Sequence, residues 1–121
     1  RRVVNGMKYK WYIFLANLDP IICSEQGKTR PVLVISEEEI NQILPVVNVI
    51  PITSRKSGRK IYPNEVLLPV ESGFQKESIL FCYQIRTLDK KRLMMEIGKI
   101  ENIELQEKIY DSLCFQLGIG R

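Results

Sequence analysis

A chain of 121 residues with 45% hydrophobic and 26% charged side chains has the composition of one compact globular domain. Its longest apolar runs, such as Trp11–Ala16, fall far short of the ~18 residues a membrane helix needs. Its net charge of +4 favours a polyanionic partner, with 16 basic against 10 acidic side chains in the first hundred residues and an acid-rich segment at 101–117.

There is no histidine, which removes the usual base near neutral pH and the commonest metal ligand. Cys23, Cys82 and Cys114 are odd in number and widely spaced, so they suggest neither a disulfide framework nor a zinc site, and a reducing cytoplasm is expected. Arg1 and Arg2 precede an apolar stretch that ends at Asn17–Pro20 without a small-residue cleavage site, which argues against a signal peptide. Residues 1–8 are expected to be an N-terminal extension or a cloning remnant, and residues 9–118 a single domain.

In chain order, YKWYIFLANL (9–18) is aromatic and β-branched enough for a strand, ended by Asp19–Pro20. The GKT of SEQGKTRPVLVIS (24–36) invites a nucleotide-loop reading. That motif needs a glycine at position 22, which is Ile22, and a helix after the Lys-Thr, where Pro31 to Ile35 reads as a strand. Ser36 with Glu39 has the form of a capping box, predicting a short connector helix from Glu37 to Ile43. VVNVIPIT (46–53) is a third strand, in which Pro51 argues for an edge or a bulge. SRKSGRKIYPN (54–64) reads as a basic, mobile loop. Further strands are predicted at Glu65–Leu68, Ser78–Ile85 and Met94–Ile100, with a turn at Thr87–Arg92. Ile103, Ile109, Tyr110, Leu113, Cys114 and Leu117 share one helical face, stopped at Gly118, and predict a C-terminal amphipathic helix packed on the sheet. Short strands without βα alternation point to an α+β domain with an antiparallel, barrel-like sheet.

The order NLDP, SEQGKTRPVLVIS, LPVVNVIPITS, QIRTLDKKRL resembles the MazF/PemK family of toxin ribonucleases over residues 9–118. The resemblance implies an SH3-like antiparallel β-barrel of the CcdB/PemK type, a homodimer, and metal-independent, cofactor-free cleavage of single-stranded RNA. It also implies a MazE-like antitoxin partner with an acidic disordered segment. It assigns the catalytic arginine to Arg30, the threonine after the third strand to Thr53, the loop that approaches the RNA to Ser24, Glu25, Gln26 and Gly27, and further polar contacts to Ser54 and Gln84; beside them the basic Lys28, Arg55 and Lys56 are expected to bind RNA through their charge. This sequence departs from the family pattern where Lys10, Trp11 and Tyr12 replace an Arg-Gly-Asp-like run, where Cys23 replaces a glycine, and where Tyr83 stands at a position acidic in several members. A fold resemblance to CcdB leaves a non-enzymatic topoisomerase poison as an alternative. The departures leave a nuclease-inactive RNA-binding relative as another.

Metal-free RNA cleavage can use the nucleotide's own 2′-OH as nucleophile, giving a 2′,3′-cyclic phosphate and a 5′-OH. Arg30 suits charge stabilisation because its planar fork of donors fits phosphate and stays protonated, which also makes it a poor base. Glu25, the only carboxylate within the Arg30 motif, is the expected base or else orients Arg30 through an ion pair. Thr53 and Ser54 offer hydroxyl donors. Trp11, Tyr12 and Phe14 are expected in a core or interface, and the run Arg55, Lys56, Arg59, Lys60 along RNA phosphates.

Overall fold

The computed structural model describes residues 6–19, 28–70 and 76–121. In order come β1 (Tyr12–Asn17), β2 (Thr29–Val34), α1 (Glu38–Ile43), β3 (Val46–Ser54), β4 (Glu65–Leu68), β5 (Ser78–Phe81), β6 (Arg86–Asp89), β7 (Leu93–Lys99) and α2 (Ile103–Leu117). The strands form one antiparallel sheet in the order β4-β5-β3-β2-β1-β7, with β6 also paired to β3.

Strands β1 to β3 lack polar alternation because both faces of the sheet are covered. Leu33 joins Ile13, Ile50, Ile52 and Leu80 in a cluster that also takes in Ile109 and Leu113 of α2. Its neighbours Val32 and Val34 join Phe14, Ala16, Val47 and Val49 in a second cluster on the opposite face. The chain from Ser78 to Asp89 runs back along β3, with β5 opposite Ile52–Ser54 and β6 opposite Val46–Val49. Between them the ladder is replaced by a 3-10 turn at Cys82–Gln84, so the strand predicted through Ile85 ends at Phe81. Pro51 therefore lies in an interior strand, at the step where this ladder is interrupted, and not on an edge. The turn predicted at Thr87–Arg92 is β6 followed by a second 3-10 turn, Lys90–Arg92.

The closed barrel expected from the sequence is not formed among the described residues, since β4 and β7 end the sheet without pairing to each other. β4 has only four residues between Pro63 and Pro69, and α2 takes the place of a closing ladder. Ser112 Oγ donates to the carbonyl of Pro63 at 2.9 Å, and a groove of about 850 Å³ remains between the helix, β4 and the end of β7.

Asn102 caps α2 by accepting from the Leu105 amide at 2.9 Å, and Gly118 at φ 73° closes it as predicted. The stripe of the helix is shorter than its sequence period suggests. Ile109 and Leu113 are buried, but Ile103 is 67% and Leu117 57% exposed; Ile103 lies about 120° round the helix from Ile109, and Leu105 packs on the core in its place. The capping box is not made either. The Ser36 hydroxyl donates to Asn41 Oδ1 at 2.5 Å and accepts from the Asn48 amide at 3.0 Å, leaving Glu37 at the N-cap without a side-chain capping bond, its carboxylate accepting instead from Lys10. Glu38 instead reaches across the chain and accepts from the amides of Tyr9 at 3.1 Å and Lys10 at 2.9 Å. That contact holds a turn at Lys10–Trp11, with Trp11 at φ 72°, so the first strand starts at Tyr12 and not at Tyr9.

The basic loop is tied down by its own charges. Arg59 donates to both carboxylate oxygens of Glu65 at 2.8 Å, and the Glu65 side chain is only 3% exposed. The hydrogen bonds from Arg59 hold the Glu65 carboxyl below its ordinary value of 4.5, against the opposing effect of desolvation. A lowered folded-state value gives stability that is complete above the ordinary value and lost as pH falls through the lowered one. Thermal melts from about pH 6 to pH 3 should therefore show the native protein losing stability at the acid end more steeply than Glu65→Gln. Parallel profiles would mean that the Arg59–Glu65 pair contributes nothing.

Candidate nucleic-acid interface

Arg30 is positioned by the pairing of β2 with both its neighbours. Against β1 it lies opposite Ala16. The β2/β3 register, Val32 with Pro51 and Leu33 with Ile50, extended by two steps brings Arg30 opposite Thr53. Cross-strand partners point to the same side of a sheet, so guanidinium and hydroxyl share one face at the same end of adjacent strands. Both side chains are half-buried, and among the described residues the guanidinium makes no hydrogen bond or ion pair. A charged donor fork with no partner among the described residues suits an oxyanion.

Ser54 follows Thr53 at the exposed end of β3, opposite Ser78 of β5, and the Arg55 amide donates to the Glu77 carbonyl at 2.9 Å. Gln84 lies in the 3-10 turn that interrupts the ladder along β3. Arg55 is spent on the fold: its guanidinium donates to the Arg59 carbonyl at 2.7 and 3.0 Å and pairs with Glu77 at 3.1 Å. Lys56 is exposed and has no ion pair among the described residues. Ser24, Glu25, Gln26 and Gly27, together with Cys23, lie outside the described residues. Among those described, no three His, Cys, Asp or Glu side chains come together as a metal would need.

Lys28 takes a left-handed conformation, φ 62°, which a non-glycine residue adopts only when its surroundings favour it. Here the Lys28 amide donates to Asp19 Oδ1 at 2.7 Å, and its carbonyl accepts from the amide of the buried Leu18 at 2.8 Å. Arg92 donates to the carbonyls of Asn17 and Asp19, closing the pair of chains from the β7 side. Asp19 and Arg92 thus anchor the segment that delivers Arg30. Their only sequence signal is the NLDP and DKKRL strings, which reveal nothing of the contacts between them. Asp19→Ala should lower the melting temperature by a few degrees. Adding Lys28→Gly should restore more stability in that background than the same change gives in the native protein, since glycine needs no help at positive φ. Strict additivity of the two changes would show that Asp19 does not hold the Lys28 backbone.

Comparison with known proteins bears on this geometry. Residues 9–115 match the family described as PemK-like, MazF-like toxin of type II toxin-antitoxin system. The chain is 33% identical over 107 residues to the endoribonuclease EndoA of Bacillus subtilis, covering 88% of this chain and 91% of that protein. It superposes on MazF from Deinococcus radiodurans with a TM-score of 0.79 and 26% identity, over 95% of this chain and all of that one. The toxin of a MazE–MazF complex from the same organism gives 0.73 and 26%, over 96% of this chain and all of that one. With the strand order described above and a family match over residues 9–115, the chain belongs to the PemK-like, MazF-like toxins of type II toxin-antitoxin systems.

Proposed function

We propose that the protein is a sequence-specific endoribonuclease that cuts single-stranded mRNA by 2′-OH transesterification, without a metal ion, leaving a 2′,3′-cyclic phosphate and a 5′-OH. The observation that carries this reading is the β2/β3 register, Val32 with Pro51 and Leu33 with Ile50, which extended two steps sets Arg30 opposite Thr53. Arg30 donates to the non-bridging oxygens as charge builds on the phosphorane-like transition state, where a charged, preoriented donor contributes most. Thr53, with Ser54 beside it, donates a hydroxyl hydrogen bond to the same phosphate. Glu25 takes the 2′-OH proton or orients Arg30. Lys28 and Lys56 attract the backbone, and Gln84 and the loop Ser24–Gly27 contact bases.

The MazE–MazF complex of D. radiodurans supports a cognate antitoxin as partner. Its acidic, initially disordered segment would cover the basic groove and exclude RNA. A C2 homodimer suits the large exposed side chains Ile40, Ile43, Met94 and Met95, more apolar surface than a small monomer ordinarily leaves in water.

The test is incubation with a long single-stranded RNA in excess EDTA, followed by mapping of the ends. Discrete cuts bearing 5′-OH ends are expected. Cuts that require magnesium and carry 5′-phosphates would refute the proposed chemistry.

A further inference from the structure

We infer that Arg86 holds a second phosphate of the RNA, a few nucleotides along the strand from the one at Arg30, an inference that rests on the ribonuclease reading above. β6 pairs with β3 so that Arg86 lies opposite Val49 and Leu88 opposite Val47. Val47, Val49 and Leu88 belong to one buried cluster with Val32 and Val34, and side chains alternate between faces along each strand. Arg86 therefore stands on the face of the sheet that carries Arg30 and Thr53.

Along β3, four positions separate Val49, opposite Arg86, from Thr53, opposite Arg30, and β3 itself lies between β2 and β6. At about 3.3 Å per residue and two strand spacings of about 4.8 Å, the two arginines are about 16 Å apart at the backbone. Side chains stand roughly perpendicular to a sheet, so the two guanidinium groups meet different phosphates of one strand and not the same one. The turn that bears Gln84 leads directly into β6, which sets a residue assigned to a base two positions from the one assigned here to a phosphate.

The other arginines show why this one is available. Of the six described, Arg55, Arg59, Arg92 and Arg121 spend donors on carbonyls or carboxylates of the chain itself. Arg30 and Arg86 are both half-buried, make no hydrogen bond or ion pair among the described residues, and share a face. β2 and β3 contain no carboxylate. The one carboxylate of β6, Asp89, is on the opposite face and accepts from the Lys91 amide at 2.8 Å. Partly withdrawing a guanidinium from water is costly unless an anion meets it, and its fork of donors fits phosphate oxygens. A carboxylate of a second copy of this chain could meet the same group, but the face shared with Arg30 and Thr53 favours the phosphate.

The test uses the full chain and an RNA oligonucleotide spanning one cleavage site first mapped on a long single-stranded RNA. For equilibrium binding, the nucleotide that supplies the attacking 2′-OH is replaced by its 2′-deoxy form, so that the strand binds uncut. Arg86→Gln should weaken binding about tenfold, the scale of one charged hydrogen-bonded contact. It should also lower the slope of log affinity against log salt by about 0.7, the share of one phosphate on a single strand. With the cleavable strand, KM should rise by a similar factor and kcat stay nearly unchanged. Arg86→Lys keeps the charge and should keep the slope. Neutral methylphosphonates are then placed at one position at a time, and at one phosphate other than the scissile one the difference between native and Arg86→Gln should vanish. If Arg86→Gln melts well below the native protein, Arg86→Lys takes its place in that walk, since the effect of losing the fork should disappear at the same position. Unchanged affinity and slope would refute the subsite, while cuts by the native protein would uphold the ribonuclease reading. A fall in kcat at unchanged affinity would place Arg86 on the scissile phosphate and overturn the separate subsite. If Arg86→Gln sediments more slowly than native and regains affinity at high protein concentration, the guanidinium serves a contact between copies and the inference fails. If the native protein neither cuts nor binds RNA, both readings fall.

Discussion

Arg30→Lys should retain RNA binding but lose at least about tenfold in kcat. Lysine keeps the positive charge that attracts the phosphate. It replaces a planar pair of donors by a single ammonium on a flexible stem, so the loss falls on the step where two oxygens must be stabilised together. Arg30→Ala should cost more, on the order of a hundredfold or greater, because it removes the charge as well. Single-turnover cleavage alongside equilibrium binding separates the two effects. Full activity in Arg30→Lys would remove Arg30 from the chemistry, whatever Thr53 proves to do.

The second large effect is on stability. Ile109→Ala should destabilise the protein by about 3 kcal/mol, the usual scale for deleting a fully buried branched side chain and leaving a cavity. Ile109 is completely buried, among Ile13, Leu33, Ile50 and Leu80. Ile103→Ala, six positions earlier in the same helix, should change it by less than about 0.5 kcal/mol, because that side chain is mostly in water. Urea unfolding of both variants decides the matter. Equal costs would restore the long apolar stripe read from the sequence, and a cost at Ile103 that depends on protein concentration would place it in a contact between subunits.

These two isoleucines illustrate what a linear pattern can and cannot carry. The period in α2 gave its bounds and its stop at Gly118, because helix, cap and glycine are local. Which side of the helix meets the sheet is set by the packing of Leu105, Ile109 and Leu113, and Ile103 lies about 120° from Ile109 around the axis. Arg30 was legible as a charged residue at the mouth of a β-branched run, and its family motif supplied the role. Its partner across the sheet was not, since register emerges only when strands pair. The Asp19–Lys28 anchor was invisible for a similar reason: a carboxylate nine residues from the amide it fixes has no periodic signature. The mistaken capping box at Ser36 shows the converse. The local string was correct, but a buried asparagine in the same helix competed for the hydroxyl.

The pairing of β1 with β7 carries a consequence for biosynthesis. β1, the earliest of the described strands, lies between β2 and β7, the latest of them, and the cluster behind it is completed by Ile109 and Leu113. The core therefore cannot shut until α2 has been translated, and the contacts that close it are among the most distant between the described elements. Until β7 emerges, β1 has β2 beside it but lacks its other neighbour, while the Arg30 strand already has both of its own. The fold is complete only once α2 has docked, and the interval before that is time in which a partner already present can engage the nascent chain.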